Sequence, residues 1–156
     1  MTTIAWDMYD VSVDSGSVVS EGRVLESVNK LRRSTKIDAV YGVIGYYAWL
    51  DAWIAWHENG CDAHATPVCN TTDLDDTGNF FVFTPTCALM YSKMMPYASV
   101  FKQPMAWGSG SSFARGALVS SPAITAAHAL EVARFLDPYT SGDIQTINLA
   151  ARPANG

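Results

Sequence analysis

Met1-Thr2-Thr3-Ile4 places a hydroxyl beside a latent α-amine. Cleavage of the Met1–Thr2 peptide bond would give Thr2 a nucleophilic oxygen and, on the same residue, an amine able to take its proton. Threonine activated by its own terminal amine is an established nucleophile–base pairing. The same residues also read as the β-branched start of an ordinary edge strand, so their surroundings must decide. Other groupings carry chemistry-bearing types. His57, Cys61, His64 and Cys69 are zinc-ligand types at intervals of four, three and five, which match no standard zinc pattern. Asp73, Asp75, Asp76 and Gly78 superficially resemble a calcium loop, yet no glutamate follows at the required position. His128 stands in an alanine-rich stretch and reads as a surface or satisfied core histidine. The sequence therefore predicts neither metal nor cofactor.

The elements that would position Thr2 can be taken in chain order. Thr2–Trp6 reads as a strand, Asp7–Asp10 as a turn, and Val11–Asp14 as the returning strand of a hairpin. Ser15-Gly16-Ser17 is expected to be a loop and Ser20-Glu21-Gly22 a turn. Arg23–Arg33 is open between helix and strands: Val24, Leu25, Val28 and Leu31 fit helical spacing, while the β-branched content fits extended chain. Asp38–Gly45 is an apolar run with two glycines, a buried strand approached closely by other backbone. Tyr46–Glu58 is long, aromatic and free of breakers, which predicts a helix ended by Asn59-Gly60. Trp49, Trp53 and Trp56 share one face of it; that face reads as core against a sheet or as a subunit contact. Cys61–Gly78 is a polar loop. Asn79–Thr84 and Cys87–Tyr91 form a second hairpin about Pro85-Thr86. Lys93–Pro104 is expected to be irregular, with a short strand at Ser99–Phe101. Met105–Trp107 is a strand, Ser112–Val119 a helix, and Ser121-Pro122 the cap and first turn of a helix over Ala123–Leu136 that Asp137-Pro138 closes. Ile144–Leu149 is a last strand. Runs of strands and helices segregated in this way indicate α+β layers rather than alternating βαβ. One domain is expected over residues 1–150, with 151–156 a loose tail.

Composition narrows the function classes. The chain has 156 residues, 49% of them hydrophobic and 16% charged, with a net charge of −5. So apolar a surface predicts burial against partners. Ten Lys+Arg without a basic stripe predict no nucleic-acid binding. No apolar run reaches the length of a membrane span, and no secretory leader is expected. Three cysteines make no disulfide framework, which fits a reducing cytoplasm, cellular or that of an infected host.

Several separated segments carry a family resemblance. They are Thr2-Thr3-Ile4; Asp14; Lys30-Leu31-Arg32-Arg33, with Lys30 sixteen residues beyond Asp14; Gly42-Val43-Ile44-Gly45; Trp107-Gly108-Ser109-Gly110 followed by Phe113-Ala114 and Ala117; and Asp137-Pro138-Tyr139-Thr140-Ser141-Gly142. In this order the sequence resembles the proteasome β-subunit/HslV group of N-terminal nucleophile (Ntn) hydrolases, closest to the compact versions encoded by some bacteriophages. The resemblance implies a four-layer αββα sandwich. It implies Thr2 as nucleophile and base, Lys30 as a nearby cation held by Asp14, and Ser109, Asp137 and Thr140 as the groups that hold the amine. An oxyanion donor would come from the Gly42–Gly45 segment, with Gly45 favoured over Gly42.

Two functions are compatible with this pattern. The first is a threonine-type peptidase or amidohydrolase, active on a peptide or protein substrate once Met1 is gone. The second is a catalytically silent oligomeric component, such as one of a phage particle, that contacts other virion proteins. Relatives assemble in rings or related oligomers, so a homo-oligomer is expected in both cases. The expected location is the cytoplasm, that of the host if phage-encoded, or the virion in the second case.

Overall fold

The computed structural model describes residues 1–18, 24–45, 49–67, 78–92 and 95–154. Within them the strands are β1 (Thr3–Trp6), β2 (Asp10–Asp14), β3 (Gly16–Val18), β4 (Val24–Ser27), β5 (Leu31–Arg33), β6 (Val40–Ile44), β7 (Asn79–Phe83), β8 (Ala88–Ser92), β9 (Met95–Phe101), β10 (Met105–Gly108) and β11 (Ile144–Asn148). The helices are α1 (Leu50–Glu58), α2 (Ser111–Ser120) and α3 (Ala126–Leu136). One antiparallel sheet runs β10-β1-β2-β11, a second runs β5-β6-β7-β8-β9, and β3-β4 form a separate hairpin.

Side-chain alternation along each strand builds the layers. Ile4, Trp6, Val11 and Val13 of the first sheet meet Leu31, Val40, Phe81 and Phe83 of the second in a core between the sheets. The opposite face of the first sheet offers Ala5 and Ala106 to Ala114, Leu118, Ala126, Ala129, Leu130 and Ala133 of α2 and α3. Alanine on both sides lets these helices lie close to the sheet. The outer face of the second sheet is aromatic: Trp53 of α1 stacks on Phe80 at 5.4 Å between ring centres, and Trp56 meets Tyr91 edge-on at 5.2 Å. The stack is thus α2/α3, sheet, sheet, α1, the αββα sandwich expected from the sequence, and the tryptophan face of α1 is core. No helix of the described residues is long and apolar enough to cross a membrane.

Several local expectations give way. Ser15–Ser17 is not a loop, because Gly16 opens strand β3. The ambiguous Arg23–Arg33 stretch resolves into β4 and β5. The segment after Ser92 is not irregular: β9 extends over seven residues. Among the described residues it is an edge strand, paired to β8, which is where a proline such as Pro96 can be accommodated. Helix α3 begins three residues later than its apolar pattern suggests. Its cap is Thr125, whose Oγ1 accepts from the His128 N–H at 3.1 Å, while Ser121 Oγ closes a preceding turn by accepting from Ala123 N–H at 3.2 Å. The segment after β11 is tied down: Arg152 reaches Asp7 at 2.6 Å and Asp10 at 3.0 Å and lies over the Tyr9 ring. Asp7 also accepts from Ala126 N–H at 2.6 Å, so one carboxylate joins the β1–β2 turn, the start of α3 and the C-terminal segment. The turn expected at Ser20–Gly22, the aromatic pair Tyr46-Tyr47 and the acidic segment Asp73–Asp76 lie outside the described residues.

Candidate active site

Register brings the motif residues to one end of the sandwich. Thr3 at the start of β1 pairs with Gly108 at the end of β10, and Asp14 at the end of β2 pairs with Ile144 at the start of β11. In the second sheet Leu31 pairs with Gly42, so Lys30 lies just beyond β5 toward the Gly45 end of β6. Gln145 of β11 joins the two sheets there: its Oε1 accepts from the Lys30 backbone N–H at 3.1 Å and its Nε2 donates to the Val28 carbonyl at 2.9 Å.

Lys30 and Asp14 form a buried ion pair beside Thr2. Lys30 Nζ donates to Asp14 Oδ1 at 3.3 Å, to the Gly16 carbonyl at 2.6 Å and to the Met1 carbonyl at 3.2 Å. The last of these is the carbonyl of the Met1–Thr2 peptide bond. Asp14 also accepts from Thr3 N–H at 2.7 Å and from Ser141 N–H at 3.3 Å. Burial pushes Lys30 below the ordinary lysine range, and the charge and hydrogen bond of Asp14 restore part of that loss. Burial pushes Asp14 upward, against the Lys30 charge and the two backbone N–H groups. The terminal amine at Met1 is held below its ordinary value, first by burial and then by the positive charge of Lys30; Asp14 and Asp137 pull the other way.

The remaining motif residues meet at Thr3. Ser109 N–H donates to the Thr2 carbonyl at 3.2 Å. The Ser109 hydroxyl is 3.3 Å from Thr3 Oγ1, and Gly110 N–H donates to that same Oγ1 at 2.9 Å. Thr140 Oγ1 lies 2.8 Å from Thr3 Oγ1 and donates to Asp137 Oδ2 at 2.7 Å. Burial alone would raise the Asp137 carboxyl; the Thr140 hydroxyl, the Tyr139 N–H, the Ser109 hydroxyl and the nearby terminal amine outweigh it and hold the group below the usual range.

The two glycines proposed for the oxyanion site stand in different surroundings. Gly42 pairs with Leu31 on one side and Phe81 on the other, which commits its N–H to the sheet ladder. A Cβ there would come within 3.1 Å of Leu31 and 3.3 Å of Ile4, so this glycine serves the packing of one sheet on the other. Gly45 follows the end of β6, is exposed, and has φ of 103°, a conformation that glycine adopts without strain. Gly108 is held more tightly: its φ is 99°, and a Cβ would fall 1.8 Å from the Thr2 carbonyl oxygen.

Other candidates separate from the site. His57 Nδ1 faces Tyr41 Oη at 3.3 Å among Phe80 and Tyr91, His64 is exposed, and Cys61 Sγ points to the His57 carbonyl at 3.8 Å. The described residues include no group of three or more metal-ligating side chains, and Cys69 lies outside them. His128 is exposed on α3. Sequence reading missed Thr3 and Gln145. Nothing in the sequence marks either of them: the complete burial of Thr3, a polar strand residue, is seen only in the fold.

No protein-family model matches the sequence, and no curated protein matches it. Solved structures do. HslV from Trypanosoma brucei is similar over 97% of this chain and 100% of its own, with a TM-score of 0.71 and 19% identity. BPH from Thiobacillus denitrificans, in complex with epoxomicin, matches with a TM-score of 0.65 and 15% identity over 97% of this chain and 99% of its own. Anbu from Yersinia bercovieri, an ancestral β-subunit, matches with a TM-score of 0.60 and 10% identity over 96% of this chain and 82% of its own.

Proposed function

We propose that this chain, which has the proteasome-type N-terminal nucleophile hydrolase fold, is a threonine-type peptidase or amidohydrolase with Thr2 as its nucleophile. The observation that supports this most is the buried Lys30–Asp14 pair placed on the backbone at Thr2, with Lys30 Nζ 3.2 Å from the Met1 carbonyl. Burying a cation is costly, and ionisable groups perturbed in this way concentrate at functional sites. Hydrolysis of the Met1–Thr2 bond frees the Thr2 amine, and the Met1 residue that must leave is 52% exposed.

In the mature protein Thr2 Oγ attacks the carbonyl carbon of a peptide or amide. Its proton passes to the Thr2 amine, directly or through a water. A free α-amine has a pKa of about 7.7–8.0, and the neighbouring Lys30 charge favours its neutral, proton-accepting form. The carbonyl oxygen gains the negative charge and is met by the Gly45 N–H. Collapse breaks the C–N bond, the leaving amine takes the proton, and an ester remains on Thr2. Water, deprotonated by the same amine, attacks the ester, and the acid leaves as Thr2 Oγ recovers its proton. Asp14 fixes Lys30, while Ser109, Thr140 and Asp137 hold the neighbourhood of the amine.

Self-association is part of the proposal, since Phe135, Val119 and Tyr97 expose 89%, 79% and 76% of their surface. The same exposed side chains also suit the second reading, a silent oligomeric component of a phage particle. Intact mass and labelling separate the two. The hydrolase loses the mass of Met1 and is modified at Thr2 by an epoxyketone such as epoxomicin, and Thr2→Ala abolishes the adduct. A native protein that keeps Met1 throughout and never labels overturns the hydrolase reading.

A further inference from the structure

We infer that Thr3, beside the nucleophile, is a positioning residue of this site; the inference rests on the hydrolase reading above. Its hydroxyl is wholly buried and has one proton and two lone pairs to place. Gly110 N–H occupies one lone pair at 2.9 Å. Thr140 has committed its own proton to Asp137 Oδ2 at 2.7 Å, so toward Thr3, 2.8 Å away, it can only accept. The Thr3 proton therefore goes to Thr140, and the chain runs one way: Gly110 N–H to Thr3, Thr3 to Thr140, Thr140 to Asp137.

Two consequences follow for the atoms around Thr2. The Ser109 hydroxyl, 3.3 Å from Thr3 Oγ1, cannot receive the Thr3 proton. It keeps its lone pairs for a donor such as the Thr2 amine and directs its own proton to Thr3 or to Asp137. In addition, one hydroxyl ties three separate pieces together: strand β1, the turn before α2 that carries Ser109 and Gly110, and the turn after α3 that carries Asp137 and Thr140. Valine would fill the same buried volume and provide none of this. A displacement of a reacting group by 1 Å costs on the order of 100-fold in rate.

The test uses protein with Thr2 at its terminus, Thr3→Val and Thr3→Ser variants, and epoxomicin as the probe. The maximal rate of Thr2 modification, the concentration giving half that rate, and the pH at its midpoint are measured on folded protein. Thr3→Val is expected to lower the maximal rate by roughly 10- to 100-fold, leave the half-saturating concentration within about twofold, and displace the pH midpoint; Thr3→Ser restores all three. Thr140→Val, which cuts the next link, is expected to displace the midpoint likewise and serves if Thr3→Val does not fold. A labelled wild type with Thr3→Val or Thr140→Val unchanged in rate and midpoint overturns this inference alone. A wild type that never labels overturns the hydrolase reading and this inference with it.

Discussion

Lys30 Nζ stands 3.3 Å from Asp14 Oδ1, with 3% and 0% of the two side chains exposed. Two charges removed from water in this way depend on each other. Lys30→Met is expected to destabilise the protein by about 3–5 kcal/mol, because Asp14 is left charged and unpaired. Asp14→Asn combined with Lys30→Met should recover part of that loss, since both desolvated charges are then gone. Urea denaturation of the three proteins measures it; a double variant no more stable than Lys30→Met alone would show that the pair does not set the cost.

Two glycine substitutions should behave in opposite ways. Gly108→Ala forces a Cβ to within 1.8 Å of the Thr2 carbonyl at a φ of 99°. A non-glycine residue at such a φ costs about 1–3 kcal/mol before any clash is counted, and the displaced Thr2 should label at least tenfold more slowly. Gly116→Ala, inside α2 with nothing within 4 Å of the new methyl, should stabilise the protein by about 0.5–1 kcal/mol. Thermal melts of both variants give the comparison, and a neutral Gly108→Ala would remove the steric argument.

Acid should act through His57. Burial lowers its pKa, and the Glu58 charge opposes only part of that effect. The folded protein thus binds this proton less readily than the unfolded chain. The stabilisation is fully present above the unfolded value of about 6.5 and is lost as pH falls through the lower folded value. Relative to His57→Gln, which keeps a partner for Tyr41, the wild type should lose melting temperature progressively below about pH 6.5. Parallel curves for the two proteins would contradict it.

Arg152 and Asp7 predict unequal losses. Arg152→Met removes a half-exposed partner and should cost about 1 kcal/mol, less at high salt. Asp7→Ala removes the acceptor for Tyr9, Asp10 and Ala126 N–H groups as well. It should cost at least about 2 kcal/mol, with only the part due to the Arg152 pair reduced by salt. Denaturation at two ionic strengths distinguishes them.

The layers were legible because they follow from local alternation: Ile4 and Trp6 against Ala5, Val11 and Val13 against Ser12, and an unbroken Asn79–Phe83. Other features depend on partners far along the chain. Pro96 obscured β9, whose existence rests on pairing with β8. The start of α3 is set partly by Asp7, 119 residues upstream. In the candidate site, Thr2, Asp14, Lys30, Ser109 and Asp137 could be proposed from resemblance, being the expected types in the expected order. Thr3 could not, because its contacts to Gly110 and Thr140 span 107 and 137 residues. Gly45 is favoured over Gly42 by resemblance alone; pairing with Leu31 and Phe81 is what places Gly42 inside the sheet.

Those spans also fix an order of events during synthesis. Thr2, Asp14 and Lys30 leave the ribosome before Ser109, Asp137, Thr140 and the strand that pairs with Asp14. If Thr2 is the nucleophile proposed above, a nascent chain holds it without the groups that would orient it. On the proposed reading, the moment at which it could first cut a neighbouring polypeptide coincides with completion of the site by its later segments.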